Sequence, residues 1–179
     1  MISTAELAVA WAIIEEGGTM PEAVTERLLG LLADGNADYE IMRHAPVRTS
    51  EEAAAIRGTP AEHGAKALVF QADDRTVLLV LQGTRRMDNR AFKRAYGVKN
   101  LRLLPSEDLT ALTGLEPGAV PPFGRLLGLA TYADERLLSL PRIAFNAGSR
   151  SISVVLATAD YVRLEQPTVG RFASEEARA

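Results

Sequence analysis

Lys66 is the first residue whose type and setting suggest chemistry. It lies in Gly64-Ala65-Lys66-Ala67-Leu68-Val69-Phe70, one of the most apolar stretches of the chain. In a strand, Lys66, Leu68 and Phe70 share one face because side chains alternate. An ammonium taken out of water is costly unless it has a partner, and its pKa moves easily. Such a lysine either holds a ligand or sits at a strand end with its head group reaching solvent.

A second candidate is the loop Gly118-Ala119-Val120-Pro121-Pro122-Phe123-Gly124. Gly118 permits close approach of backbone to a ligand, and the two prolines stiffen the exit. Unpaired backbone N–H groups in such a loop can hold a carbonyl or an oxyanion. The competing reading is a rigid connection. A third is Phe145-Asn146-Ala147-Gly148, where a strand ends on a side chain with both donor and acceptor groups. Asn146 could equally be a turn residue. The fourth is a basic cluster. Between Arg85 and Arg102 the chain carries seven basic residues and one acid, Asp88, although the whole protein has net charge -3. Arg86, Arg90, Lys93 and Arg94 have the spacing of one helix face, which suits either a nucleic-acid phosphate backbone or a solvated surface.

Other chemistries find no residues. There is no cysteine, so disulfides, thiolate zinc sites and cysteine nucleophiles are ruled out. The two histidines, His44 and His63, are 19 apart, which is no zincin spacing. Neither a phosphate-binding P-loop nor GxGxxG nor GxSxG occurs. No metal and no cofactor are expected.

Local patterns say which elements must hold the four candidates. Residues 4 to 16 read as a helix capped by Ser3 or Thr4 and stopped by Gly17-Gly18; Met20, an alternative start, opens a second helix with Val24, Leu28, Leu31 and Leu32 on one face. Residues 34 to 38 read as a turn and 39 to 43 as a strand. Thr49 and Glu52 have capping-box spacing before a helix from Ser50 to Arg57, ended by Gly58. Residues 65 to 71 and 76 to 83 read as a central hairpin, 88 to 96 as a helix ended by Gly97, and 100 to 104 as a short strand. A capped helix is expected at 106 to 113, ended by Gly114. Strands are expected at 126 to 132, 142 to 148 and 151 to 157, then a last helix at 159 to 164 capped by Thr158. Residues 168 to 179 read as a flexible tail.

Strands and helices are interspersed, with frequent hairpins and irregular crossovers. The expected fold is therefore mixed α/β (α+β), a curved mixed β-sheet or partly closed barrel surrounded by helices. At 179 residues, 47% hydrophobic and 24% charged, the chain suits one soluble domain. The division expected is a helical extension at 1 to 19, a functional domain at 20 to 167 and the tail. The apolar run from Leu7 to Ile14 is flanked by Glu6, Glu15 and Glu16 and is too short to span a bilayer. No membrane association and a cytoplasmic location are expected.

In chain order the sequence holds His44-x-Pro46, the helix from Thr49 to Gly58, Gly64–Phe70, the second apolar strand, Gly118–Gly124, Phe145–Gly148 and a terminal Thr158–Leu164. Together these motifs, over about residues 36 to 166, resemble the YbaK/EbsC family of aminoacyl-tRNA deacylases. That family includes the editing domain inserted in bacterial prolyl-tRNA synthetases. The wording of the late loop and of Phe145–Gly148 is most similar to the stand-alone YeaK-like branch. The resemblance implies trans-editing: hydrolysis of the ester joining a wrong amino acid to the terminal adenosine of tRNA. It implies that Lys66 holds the 3′ end, and that Gly118 and Pro122 form the GxxxP loop positioning the ester and the water. A substrate ribose hydroxyl would help to activate that water. His44 and Thr49 would shape the pocket, with Val120, Pro121, Phe123 and Gly124 along the loop and Asn146 and Gly148 on a wall. Some branches carry a histidine on that wall, so a histidine-dependent selectivity does not transfer to this chain. The implied partner is mischarged tRNA, with an aminoacyl-tRNA synthetase or elongation factor as further candidates. The alternatives are a non-catalytic module that binds RNA 3′ ends or a small acyl ligand, and a hydrolase of some other small ester.

Overall fold

The computed structural model describes residues 19 to 47 and 49 to 177, and the helix expected over 4 to 16 lies outside them. Helix α1 (Met20–Asp34) starts on a capping box between Thr19 and Glu22 and buries Val24, Leu28 and Leu32. Strand β1 (Tyr39–Arg43) follows, then α2 (Ser50–Arg57). The α2 start is the expected one: Glu52 N–H donates to Thr49 Oγ1 at 3.1 Å, and Gly58 closes the helix in the left-handed region.

Strands β2 (Ala65–Ala72) and β3 (Arg75–Gln82) form the expected antiparallel hairpin. Its tight turn uses Asp73 at φ +52°, and the Asp73 carboxylate accepts from the amides of Lys99 and Asn100. Strand β4 (Arg85–Met87) was not expected. Helix α3 (Asn89–Tyr96) is capped by Asp88, which accepts from the amides of Arg90 and Ala91. Strand β5 (Leu101–Leu103) and helix α4 (Ser106–Thr113) come next, and α4 lacks the side-chain cap expected of it.

The segment expected as a strand from 126 begins as a 3-10 turn, Gly124–Leu127; strand β6 (Ala130–Asp134) starts later and runs directly into a one-turn helix, α5 (Glu135–Leu138). Strands β7 (Arg142–Asn146) and β8 (Ile152–Ala157) form a hairpin. Helix α6 (Thr158–Glu165) contains Thr158 as its first residue, so that hydroxyl is not a cap; it is buried with no partner among the described residues.

Residues 168 to 177 are not the loose tail expected. Strand β9 (Thr168–Gly170) pairs with β6, and β10 (Ala173–Ala177) pairs with β4. Burial and hydrogen bonding hold them. Phe172 is fully buried against Phe92, and the buried Asp134 carboxylate accepts from the amides of Phe172 and Ala173 at 2.7 Å each.

One sheet is mixed, in the order β5-β2-β3-β6-β9, with β3, β6 and β9 parallel; the second is antiparallel, β1-β8-β7; a short β4-β10 ribbon makes the third. Central β3 is buried from Val77 to Gln82 because both its faces are covered. The main core lies between α1, the inner faces of both large sheets, and the loop after α4. A smaller core of Phe70, Leu79, Phe92 and Phe172 lies under α3. The architecture is the expected mixed α/β one, without closure into a barrel. A single bridge between Gly64 and Ala144 joins the edges of the two large sheets, and this corner positions the site. Among the described residues, no helix is long and apolar enough to cross a membrane.

Candidate active site

A cavity of about 280 Å³ opens at that corner. Helix α2 contributes Ala53 and Arg57, and Thr49 at its cap; β2 contributes Lys66 and Leu68; the loop after α4 contributes Pro117, Gly118 and Val120; and Asn146 and Arg150 come from the β7–β8 region. The cavity thus gathers Lys66, Thr49, Gly118, Val120 and Asn146, five of the residues singled out from sequence.

Lys66 does not extend into solvent. Its Nζ donates to Gly83 O at 3.1 Å and to Arg85 O at 2.6 Å. The chain leaving β3 curls at Gly83 and Thr84 so that two carbonyls face the ammonium. A charge-assisted bond of this kind contributes about 1.5–3 kcal/mol, so the lysine ties β2 to β4 while keeping its charge at the cavity wall.

Glu116-Pro117-Gly118-Ala119 is a tight turn closed by Ala119 N–H donating to Glu116 O at 3.0 Å. Proline at the second position and glycine at the third, with φ +84°, have the residue pattern of a type II turn. A β-carbon on Gly118 would meet nothing within 4 Å, so the space beside it is open. The amides of Gly118 and Val120 make no hydrogen bond with any described residue. Both residues line the cavity.

The rest of the loop faces the other way. Pro121, Pro122, Phe123 and Gly124 are buried and do not line the cavity. Phe123 packs at a tilt against Phe145 and edge-on against Tyr161, and Gly124 N–H donates to Thr131 Oγ1. Pro122, expected beside Gly118 in the chemistry, anchors the loop in the core. Gly148, at φ +83°, packs under α1; a β-carbon there would stand 2.8 Å from Thr25 Oγ1 and 2.9 Å from Pro21 O.

Three residues that sequence reasoning missed complete the site: Arg57, Arg150 and Ser153. Arg57 is 9% exposed and has no carboxylate partner among the described residues. Burial holds its pKa down at about 10, still far above neutrality, so the guanidinium stays charged. Its Nε donates to Ser153 Oγ at 2.9 Å and its Nη2 to Asn146 Oδ1 at 2.7 Å. Asn146 Nδ2 in turn donates to Gly118 O at 2.8 Å. His44 is outside the cavity but joins this network. Its Nδ1 lies 2.8 Å from the Ala45 carbonyl, which can only accept, and its Nε2 meets Ser153 Oγ at 2.7 Å. Arg150 donates to Val47 O and pairs with Glu116 at 3.5 Å across the turn. A signal for Arg57 was present: it falls on the helix face of the buried Ala53 and Ala54.

The electrostatics follow. Among the described residues, Arg57, Lys66 and Arg150 line the cavity and no aspartate, glutamate or histidine does, while Arg150 is paired with Glu116 beside it. The cavity suits an anionic group next to an acceptor oxygen. The basic stripe begins nearby in the chain. Arg86 on β4 is exposed next to Arg85, whose carbonyl holds Lys66, and on α3 Arg90 and Arg94 are exposed while Lys93 is half-buried.

Comparison with known proteins gives a consistent set of likenesses. A family model described as an aminoacyl-tRNA editing domain matches residues 44–164. The Escherichia coli (strain K12) protein named multifunctional Ser/Thr-tRNA deacylase ProXp-y is 36% identical over 152 residues, 82% of this chain and 91% of that protein. A proline–tRNA ligase of Shouchella clausii is 33% identical over 128 residues, 72% of this chain and 21% of the ligase. Among solved structures, a candidate trans-editing enzyme for prolyl-tRNA synthetase matches with a TM-score of 0.74 at 26% identity, covering 84% of this chain and 97% of that one.

Proposed function

The chain belongs to the aminoacyl-tRNA editing domain family, and from that premise we propose that it is a deacylase acting in trans on mischarged tRNA. Water adds to the carbonyl carbon of the aminoacyl ester, the bond to the ribose oxygen breaks, and that oxygen leaves with a proton. The products are a free amino acid and a tRNA with its terminal hydroxyl restored.

The observation that carries this reading is the cavity itself: among the described residues it is lined by Arg57, Lys66 and Arg150 and by no carboxylate, and Gly118 and Val120 bring unbonded amides to its wall. Lys66 holds a phosphate or neighbouring polar group at the tRNA 3′ end. The Gly118 and Val120 amides receive the carbonyl oxygen as it becomes an oxyanion; one such donor is worth roughly 10²–10³ in rate. No described side chain lining the cavity is an obvious base, and an activated ester needs little more than a positioned water. The neighbouring ribose hydroxyl of the substrate relays the proton. Thr49, Ala53 and Val120 bound the space for the amino-acid side chain. Pro121, Pro122, Phe123, Gly124, His44 and Gly148 act by holding these elements. Arg86, Arg90, Lys93 and Arg94 meet the tRNA backbone outside the cavity. A synthetase is the natural source of the substrate, and the family's presence within proline–tRNA ligases supports such an association.

The test is release of amino acid from a panel of mischarged tRNAs, with seryl- and threonyl-tRNAs included because the E. coli relative is named for them. At least one ester should be lost far faster than in buffer, and Lys66→Ala should abolish the gain. Tight binding without release would make the protein a module for RNA 3′ ends.

A further inference from the structure

Arg57 is a permanent charge set into the wall of the site without a counter-ion among the described residues. It ends α2, where Gly58 in the left-handed region stops the helix. Its side chain then turns inward to the β7–β8 hairpin. A buried guanidinium with no carboxylate is an expensive way to fill space. A core position would take an apolar residue of similar volume, so the geometry around Arg57 calls for another explanation.

The hydrogen bonds supply it. Arg57 Nη2 occupies Asn146 Oδ1 at 2.7 Å. An amide has one acceptor end and one donor end, so with the oxygen committed the nitrogen must face the other way. There it donates to Gly118 O at 2.8 Å. Ser153 Oγ, 2.9 Å from Arg57 Nε and 3.3 Å from Asn146 Oδ1, closes the arrangement and leaves the guanidinium one orientation. Only a planar fork can meet both acceptors at once. The Gly118 carbonyl is the group fixed at the far end, and its own residue carries one of the two unbonded cavity amides.

We propose that Arg57 is a positioning residue for hydrolysis: it sets the Asn146 amide, which holds the Gly118 carbonyl and so aims the amides of the turn at the ester. It acts through Asn146 and need not touch the substrate. This inference rests on the deacylase reading above.

Arg57→Lys keeps the charge and loses the fork. Its single-turnover rate at saturating mischarged tRNA should fall about 10²-fold, the scale of a 1 Å misplacement, while the half-saturating concentration changes little. Asn146→Ala should fall similarly. The double variant should be no slower than the slower single one, because both act through the same hydrogen bond to Gly118 O. Asn146→Asp is the sharper probe and stands in if Arg57→Lys does not fold. It keeps an oxygen for Arg57, gains an ion pair, and offers Gly118 O an acceptor in place of a donor. Its melting temperature should hold or rise while its rate falls about 10²-fold. Without substrate, the Asn146 side-chain amide signals in an ¹⁵N spectrum should move toward the solvent-exposed region in Arg57→Lys. Parental rates in Arg57→Lys and Asn146→Asp, rate losses that multiply in the double variant, or unmoved Asn146 signals would each overturn the inference. If the parent itself hydrolyses no mischarged tRNA, the deacylase reading fails and takes the catalytic role with it. The Asn146 signals then still decide whether Arg57 holds the amide.

Discussion

Gly118 and Gly148 have nearly the same φ, +84° and +83°, yet should respond oppositely to a side chain. At Gly148 a β-carbon would press on Thr25 Oγ1 and on Pro21 O at under 3 Å, one of them backbone. Gly148→Ala must therefore move α1 as well as bear the positive φ, and about 2–4 kcal/mol of stability should be lost. At Gly118 a β-carbon has open space, so only the conformational cost applies, of order 1–3 kcal/mol for a β-branched residue held there. That cost rivals the roughly 2.7–4 kcal/mol of transition-state stabilisation from one oxyanion donor. The turn in Gly118→Val can therefore relax to a negative φ, recover most of the stability and misaim its amides. The expected result is a 10²–10³-fold slower single-turnover hydrolysis at saturating tRNA. For a chain of this size about 1 kcal/mol corresponds to 2–4 °C, so Gly118→Val should melt only a few degrees below the parent. Gly148→Ala should melt well below both and, at a temperature where it stays folded, keep most of the rate. Parental single-turnover rates in Gly118→Val would reduce the turn to a connection and remove the oxyanion argument.

Lys66→Ala should abolish hydrolysis and also lower the melting temperature, because Gly83 O and Arg85 O lose a charged donor; unchanged hydrolysis would remove Lys66 from the site. Changing Arg90, Lys93 and Arg94 to glutamate should weaken tRNA binding and flatten the log–log salt dependence by roughly 0.9 for each duplex phosphate no longer neutralised, as read by filter binding across a salt series; equal slopes would make the stripe a solvated face. Glu165 is buried, one of its oxygens has no partner among the described residues, and burial raises its pKa above the ordinary 4.5. A raised carboxyl favours the native state when protonated, so this contribution is present at low pH and is lost as pH rises through the folded value. Glu165→Gln should therefore be more stable than the parent in urea at pH 8, with the gap shrinking towards pH 5; a gap that grows on acidification would contradict the assigned shift.

What the sequence disclosed followed from how local the cause was. The Thr49 cap and the apolar β2–β3 hairpin are set by neighbours in the chain, and both were legible. Thr158 misled because a threonine before a helical run has cap chemistry, but here it stands inside the helix with its hydroxyl buried. Strand β4 and the C-terminal strands depend on partners far away in the chain, and the buried anchor Phe172 is the only local hint. In the site, Lys66, Gly118 and Asn146 stood out because their types are unusual where they occur. Arg57 looked like an ordinary basic residue in a last helical turn. Its importance comes from Ser153 and Asn146, which only folding brings to it. Pro122 shows the reverse: a residue prominent in a motif lies in the core behind the turn.

The most direct test of the central claim is a crystal structure with a 3′-terminal oligonucleotide whose amino acid is joined by an amide in place of the ester. The account predicts its carbonyl oxygen within hydrogen-bond distance of the Gly118 and Val120 amides and its terminal phosphate or ribose against Lys66. A carbonyl bound elsewhere, with the amino acid outside the cavity, would contradict it.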